Sequence, residues 1–129
     1  MEIAEPNTAY LAPGGTQMRI VREPANGRIM VRITNDPPEN SCKPSADYLF
    51  RSAAEIFPGR AVAVIMTGMG ADGVEGLRLL AKTGSRIIAQ DEETCVVFGM
   101  PREAINARIV DVIAPLDNIA AEILKALKK

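Results

Sequence analysis

The sequence predicts an α/β domain with a doubly wound, mostly parallel sheet and an inserted antiparallel β-hairpin. From residue 61 onward, short apolar runs alternate with segments of helical periodicity. Strands that alternate with helices imply right-handed crossovers, which place helices on both faces of a parallel sheet. Earlier in the chain, two runs of alternating pattern flank Asn26-Gly27, a pair that favours a tight hairpin turn. The length of 129 residues, 47% of them hydrophobic, is enough for one domain with a continuous core.

The elements before residue 61 are predicted from turn residues and periodicity. Residues 9–13 are predicted to form a short strand, which a Pro-Gly-Gly turn ends. Residues 18–23 and 28–33 are predicted to pair as the hairpin, and the polar segment 35–44 is predicted to be a loop. A helix capped by Ser45 should follow, because apolar residues recur there at three- and four-residue steps: Ala46, Leu49, Phe50, Ala53, Ala54 and Phe57.

The second half of the chain is predicted to be the parallel sheet with its helices. Strands are expected at residues 61–66, 86–89 and 109–113. Helices are expected at about residues 73–82, from Pro101, and from Asp117. Only about four strands are then available for the sheet, so the hairpin should join its rim and one edge should be exposed.

The composition excludes several classes of protein. The formal net charge is −1 and basic residues are scattered, so no nucleic-acid partner is expected. No apolar run approaches the roughly 20 residues that cross a bilayer, and the N-terminus does not resemble a signal peptide. A cytoplasmic protein without membrane insertion is therefore expected. The two cysteines, Cys42 and Cys95, are far apart and should be reduced thiols.

A glycine-rich loop follows the predicted strand at 61–66. It fits the pattern G-x-G-x-x-G, and Asp91 follows after about twenty residues, so a dinucleotide-binding domain is one alternative. Asp72, expected in the first turn of the next helix, would repel a pyrophosphate there, whereas the helix dipole would stabilise its carboxylate. Asp72 is then either a helix-start residue without a chemical role or the orienting acid of a catalytic group. The residues alone leave both interpretations open.

Other candidate groups give weaker signals. The acidic run that begins at Asp91 has the ligand type for a magnesium ion, but such runs more often start helices or face solvent, and no metal or cofactor is expected. The sequence contains no histidine, and none of its four serines lies in a glycine-flanked turn between a strand and a helix. The chain is therefore not expected to run a Ser-His-Asp mechanism unaided.

Several segments resemble the catalytic domain of the CheB-type chemoreceptor methylesterases: residues 9–14, 43–50, 64–73, 88–92 and 96–105. The resemblance implies a doubly wound domain that hydrolyses glutamate methyl esters on chemoreceptors, and deamidates certain glutamines, with a Ser-His-Asp triad. Asp72 matches the triad acid. Met69, flanked by Gly68 and Gly70, matches the region near the oxyanion, and three further residues are possible neighbours of the cleft: Phe98, Met100 and Arg102.

The resemblance also implies what this chain lacks. In that family the serine and the histidine precede the region that corresponds to Ala9, and neither segment is present here. Residues 1–129 are therefore expected to be the C-terminal portion of a methylesterase catalytic domain, inactive alone. Its expected partners are the cytoplasmic helices of methylated chemoreceptors and, as a further candidate, a response-regulator receiver domain. A non-catalytic module that binds a receptor or a regulator is the other alternative.

Overall fold

A computed structural model describes residues 1–128 of the protein. In chain order the elements are β1 (Glu2–Ile3), β2 (Gln17–Arg22), β3 (Ile29–Thr34), α1 (Ala46–Ile56), β4 (Val62–Ile65), α2 (Val74–Lys82), β5 (Arg86–Gln90), α3 (Met100–Asn106), β6 (Val112–Ala114) and α4 (Ile119–Leu127), with a short 3₁₀ helix at Leu116–Asn118. Across residues 1–128, every helix is too short or too polar to traverse a bilayer.

The parallel sheet has the order β4-β5-β6, with β5 in the centre. Successive side chains of β5 point to opposite faces. Ile87 and Ala89 pack on one face with residues of α2 and α3, whereas Ile88 packs on the other face with Ile119 of α4. Helices therefore cover both faces, and the doubly wound fold class is confirmed. Among the described residues this sheet has three strands rather than about four, and β4 and β6 are its edges.

The hairpin belongs to a separate antiparallel sheet of order β1-β3-β2. Its predicted pairing is confirmed, because β2 and β3 pair in a register that places Ile20 opposite Val31. The expectation that it joins the rim of the parallel sheet is wrong. Helix α1 packs against β2 on one side and against α2 on the other. The backbone N–H of Ile20 donates to Ser52 Oγ on α1 at 3.0 Å, so the helix covers the outer edge of β2.

The predicted strand at residues 9–13 is also wrong, because that segment is irregular. Leu11 is 94% exposed, so no sheet covers its side chain. The first strand is instead β1, which pairs with β3. The Tyr10 side chain holds the irregular segment in place: its hydroxyl donates to the carbonyl of Ile3 and accepts from the N–H of Glu5.

Helices α1 and α2 approach closely at Gly76. A Cβ atom added at Gly76 would lie 2.5 Å from Phe50 Cβ and 3.3 Å from Asp47 Cα, so a larger residue does not fit without moving a helix. By contrast, a Cβ atom at Gly14 would meet nothing within 4 Å.

We expect Gly76→Ala to lower the free energy of unfolding by about 1–2 kcal/mol, because overpacking of the α1–α2 contact outweighs the better helix propensity of alanine. The matched control Gly14→Ala should change it by less than about 0.5 kcal/mol. Urea denaturation midpoints measure both values. Equal midpoints for the two variants would contradict the close helix contact.

Candidate active site

Asp72 lies between β4 and α2, at the carboxyl end of the parallel sheet, and is 4% exposed. The expectation that it occupies the first turn of α2 is wrong, because the N-cap of that helix is Gly73. Gly73 has a φ of 103°, a left-handed conformation that glycine adopts without steric cost. The chain thus reverses direction after Asp72, and the carboxylate reaches α1 instead.

Four donors surround the Asp72 carboxylate. Oδ1 accepts from Ser45 Oγ at 2.7 Å, from Asn40 Nδ2 at 2.9 Å and from the N–H of Asp47 at 3.3 Å. Oδ2 accepts from the N–H of Ala46 at 2.6 Å. Three of these donors belong to the N-cap and first turn of α1, where backbone amides have no partner within the helix. The carboxylate therefore caps α1 and sits at the positive end of its dipole.

A second buried carboxylate, that of Asp47 on α1, caps α2 in return. Its Oδ1 accepts from the N–H of Gly76 at 2.7 Å, and its Oδ2 accepts from Asn40 Nδ2 at 2.8 Å. Asn40 and Asp47 are not among the site residues predicted from the sequence. Asp47 carries only the signal of an acid in a first helical turn, and an asparagine in a polar loop carries none. Two helices are thus capped reciprocally, and one amide joins their acids.

The environment of Asp72 favours its charged form. Burial alone would raise the pKa of Asp72, but the hydrogen bonds from Ser45, Ala46, Asn40 and Asp47 outweigh it, and the pKa lies below its ordinary value. The neighbouring thiol of Cys42 behaves in the opposite way, because burial and then the negative charges of Asp72 and Asp47 raise its pKa. Asp72 is therefore an anion at neutral pH, beside a protonated thiol.

The glycine loop is bonded to the segment that follows β5. The carbonyl of Gly68 accepts from the N–H of Gly99 at 3.1 Å and of Met100 at 2.9 Å, and the N–H of Gly68 donates to the carbonyl of Val97 at 3.0 Å. A Cβ atom at Gly99 would lie 2.7 Å from the Gly68 carbonyl oxygen, so only glycine permits this approach. Two of the segments that carry the family resemblance are thus packed together.

Gln90 organises the same edge of the sheet and is 1% exposed. Its Oε1 accepts from the N–H of Thr67 at 2.9 Å, and its Nε2 donates to the carbonyl of Thr94 at 2.9 Å. This buried amide ties the loop after β4 to the loop after β5. Gln90 is not among the site residues predicted from the sequence, although a polar residue that ends an apolar strand is a usable signal.

The remaining predicted residues lie around these loops. Met69 is 80% exposed, and within residues 1–128 the backbone amides of Met69 and Gly70 make no hydrogen bond. Phe98 is half-buried and pairs with Gly68 in an isolated bridge. Met100 packs against Gly68, because its Sδ would lie 2.6 Å from a Cβ atom there. Arg102 is exposed in the first turn of α3.

The geometry of these loops disfavours a dinucleotide-binding site. The first glycine of the pattern, Gly68, is occupied by its bonds to Val97, Gly99 and Met100. The acid expected to hold a ribose, Asp91, instead accepts from the N–H and the hydroxyl of Thr94 in its own turn. Residues 1–128 also hold no group of three or more acidic or thiol side chains arranged to bind a metal ion.

These features define an α/β protein with its candidate site in the loops at the carboxyl end of a parallel sheet, around a buried and ionised acid. The comparison with protein families specifies that class further. The CheB methylesterase family model matches residues 1–123, and the chain belongs to this family. No finding from the comparisons supports a dinucleotide-binding domain or a non-catalytic module.

Individual relatives agree with the family. The chain is 54% identical over 127 residues to a protein-glutamate methylesterase/protein-glutamine glutaminase of Desulfotalea psychrophila. This match covers 98% of the chain and 35% of the relative. A protein of the same name from Geobacillus kaustophilus is 50% identical over 127 residues, 98% of the chain and 36% of the relative. The chain thus spans about a third of the length of the curated relatives it matches.

A solved structure agrees as well. The crystal structure of the Thermotoga maritima CheB methylesterase catalytic domain superposes with a TM-score of 0.90 at 34% sequence identity. The match covers 96% of this chain and 65% of the solved chain. The two sheets and their helices are therefore the architecture of a CheB catalytic domain over the matched part.

We expect Asp72→Asn to destabilise the fold at neutral pH by about 1–3 kcal/mol, because an amide cannot satisfy all the donors that face the carboxylate. The pKa of Asp72 is lower in the folded chain than the value of about 3.9 of an unfolded aspartate, so the unfolded state binds more protons. Its contribution to stability is therefore full above about pH 4 and is lost as the pH falls through the folded-state pKa.

The stability difference between the wild type and Asp72→Asn should accordingly shrink below about pH 4. Urea denaturation at neutral and at acid pH measures this difference. The control is Asp117→Asn at an exposed position, which should change the free energy of unfolding by less than about 0.5 kcal/mol. A difference that stays constant across the pH range would show that Asp72 is not held as an ion.

Proposed function

We propose that this chain supplies the acid of a Ser-His-Asp active site in a protein-glutamate methylesterase that also deamidates glutamine side chains. The observation that carries the proposal is Asp72: a buried, ionised carboxylate at the carboxyl end of the sheet, in a chain of the CheB methylesterase family. Residues 1–129 then correspond to the C-terminal portion of the catalytic domain. The sequence has no histidine, so the base must come from outside it.

In the assembled site, Asp72 accepts a hydrogen bond from an imidazole N–H of the incoming histidine. That bond fixes the tautomer and stabilises the imidazolium that forms when the serine hydroxyl loses its proton and attacks the glutamyl ester carbonyl. Methanol leaves with the proton from the imidazolium, and water then hydrolyses the acyl-enzyme to glutamate. The low pKa of Asp72 suits this role, because the acid must stay ionised while the imidazole gains and loses its proton.

The oxyanion of the tetrahedral intermediate needs donors that have no other partner. The backbone amides of Met69 and Gly70 meet this requirement within the described part of the chain, and both residues are exposed. Gly68 holds their loop against the segment after β5, and Phe98 and Met100 form the adjoining wall. Arg102, exposed nearby in the first turn of α3, is a candidate contact for substrate.

The substrate in this proposal is a methylated glutamate on the cytoplasmic helices of a chemoreceptor, in bacterial chemotaxis signalling. A response-regulator receiver domain is a further candidate partner. Both assignments follow the family to which the chain belongs, and the protein then works in the cytoplasm.

A reconstitution assay tests the proposal. Methanol release from a methylated receptor fragment is measured for this chain alone, for the unmatched segment of the Desulfotalea psychrophila relative alone, and for their mixture. We expect turnover only in the mixture. Asp72→Asn should lower its kcat by about 10⁴-fold, since loss of the triad acid leaves the wrong histidine tautomer.

The matched control is Asp111→Asn. Asp111 lies at the opposite end of the sheet, and its carboxylate accepts from the N–H of Ile87, which an asparagine oxygen also satisfies. The control mixture should keep the wild-type kcat. Full activity of the isolated chain, or equal activity of wild type and Asp72→Asn in the mixture, would refute the role of Asp72.

A further inference from the structure

We propose that Asn40 is a positioning residue for Asp72: its amide helps to saturate Oδ1 and leaves Oδ2 as the oxygen that receives the catalytic base. The inference rests on the proposed function of Asp72 and adds to it the atom and the residue that orient the contact. Asn40 lies in the loop between β3 and α1, 32 residues before Asp72 in the chain.

The two carboxylate oxygens of Asp72 differ in the number of hydrogen bonds that they accept. Oδ1 accepts three hydrogen bonds, from Asn40, Ser45 and Asp47, whereas Oδ2 accepts one, from Ala46. A carboxylate oxygen has two lone pairs, and those of Oδ1 are taken by its two short bonds, from Ser45 at 2.7 Å and Asn40 at 2.9 Å, while the bond from Asp47 is longer at 3.3 Å. Oδ2, with one donor, can accept one more. A histidine N–H that approaches the carboxylate therefore finds its acceptor at Oδ2.

The orientation of the Asn40 amide follows from charge. Its Nδ2 lies 2.9 Å from Asp72 Oδ1 and 2.8 Å from Asp47 Oδ2. An amide oxygen at that place would face two carboxylates, whereas the two N–H groups donate one bond to each. Asn40 is thus the link between the acids. The other titratable group that faces Asp72 is the thiol of Cys42.

The backbone around Asn40 is held firmly enough to position it. Asn40 has a φ of 54°, in the left-handed region that asparagine tolerates better than most residues. It lies in a tight turn that two backbone hydrogen bonds between Glu39 and Cys42 close, at 3.0 and 2.8 Å. Both terminal guanidinium nitrogens of Arg51 on α1, Nη1 and Nη2, donate to the Glu39 carboxylate, at 3.0 and 2.6 Å. The turn is therefore fastened to the helix that Asp72 caps.

A role for Asn40 that does not act through its bond to Asp72 would change stability and leave the pKa of Asp72 in place, so the test follows the titration of Asp72 by NMR in the full chain. In Asn40→Ala, we expect the midpoint of the Asp72 carboxyl carbon to move to higher pH, because one donor to the charged form is lost. The matched control is Asn26→Ala: Asn26 donates to the half-buried Glu23 carboxylate in the hairpin turn, and its loss should leave the Asp72 midpoint unchanged.

A measurement on the wild type keeps the test decisive if Asn40→Ala does not fold. The side-chain amide protons of Asn40 should shift with the same midpoint as the Asp72 carboxyl carbon. The proposal is overturned if Asn40→Ala leaves the Asp72 midpoint in place, or if the Asn40 amide protons do not respond as Asp72 titrates.

The reconstituted mixture gives the kinetic readout. Asn40→Ala should lower kcat by about tenfold and leave KM unchanged, because the lost hydrogen bond orients the acid and does not contact substrate. A rise in KM at constant kcat would overturn the positioning role. An inactive wild-type mixture would instead count against the proposed function, and the NMR titration, which needs no turnover, would still decide the placement of Asn40.

Discussion

The structure depends on one buried carboxylate placed at the start of a helix. Asp72 satisfies the free amides of Ala46 and Asp47 and so fixes where α1 begins. Helix α1 packs against the antiparallel sheet on one side and against α2 on the other. The loop after β4, which belongs to the parallel sheet, is thereby fastened to the part of the chain that holds the hairpin. The Asp72 contacts of the candidate site are therefore also contacts that join the two sheets.

Burying two carboxylates side by side is costly unless each is hydrogen-bonded. The chain meets this requirement with the amide of Asn40 between Asp47 and Asp72 and with helix N-termini on their other oxygens. The same donors that compensate the burial of Asp72 also lower its pKa. A fold that needs this charge for stability therefore keeps an ionised acid ready at neutral pH, which is the state in which a triad acid works.

The sequence predicted what local patterns determine. The hairpin around Asn26-Gly27, the helix capped by Ser45 and the alternation of strands and helices after residue 61 are confirmed. The errors concern tertiary context. Residues 9–13 pair with no strand of the described part of the chain, and the positive φ of Gly73 lets the Asp72 carboxylate reach α1 rather than the helix that follows it. The contacts of Asn40 join residues far apart in the chain, and no periodicity or turn signal marks such a pair.

The most direct test of the account is a measurement of the proposed hydrogen bond between Asp72 and the catalytic histidine. In the reconstituted mixture, isotopically labelled histidine is placed in the added segment. Every imidazole signal then comes from that segment, because this chain contains no histidine. The account predicts a strongly downfield imidazole N–H signal with the wild-type chain and its loss with Asp72→Asn. A signal that persists in Asp72→Asn, or that is absent from an active wild-type mixture, would contradict it.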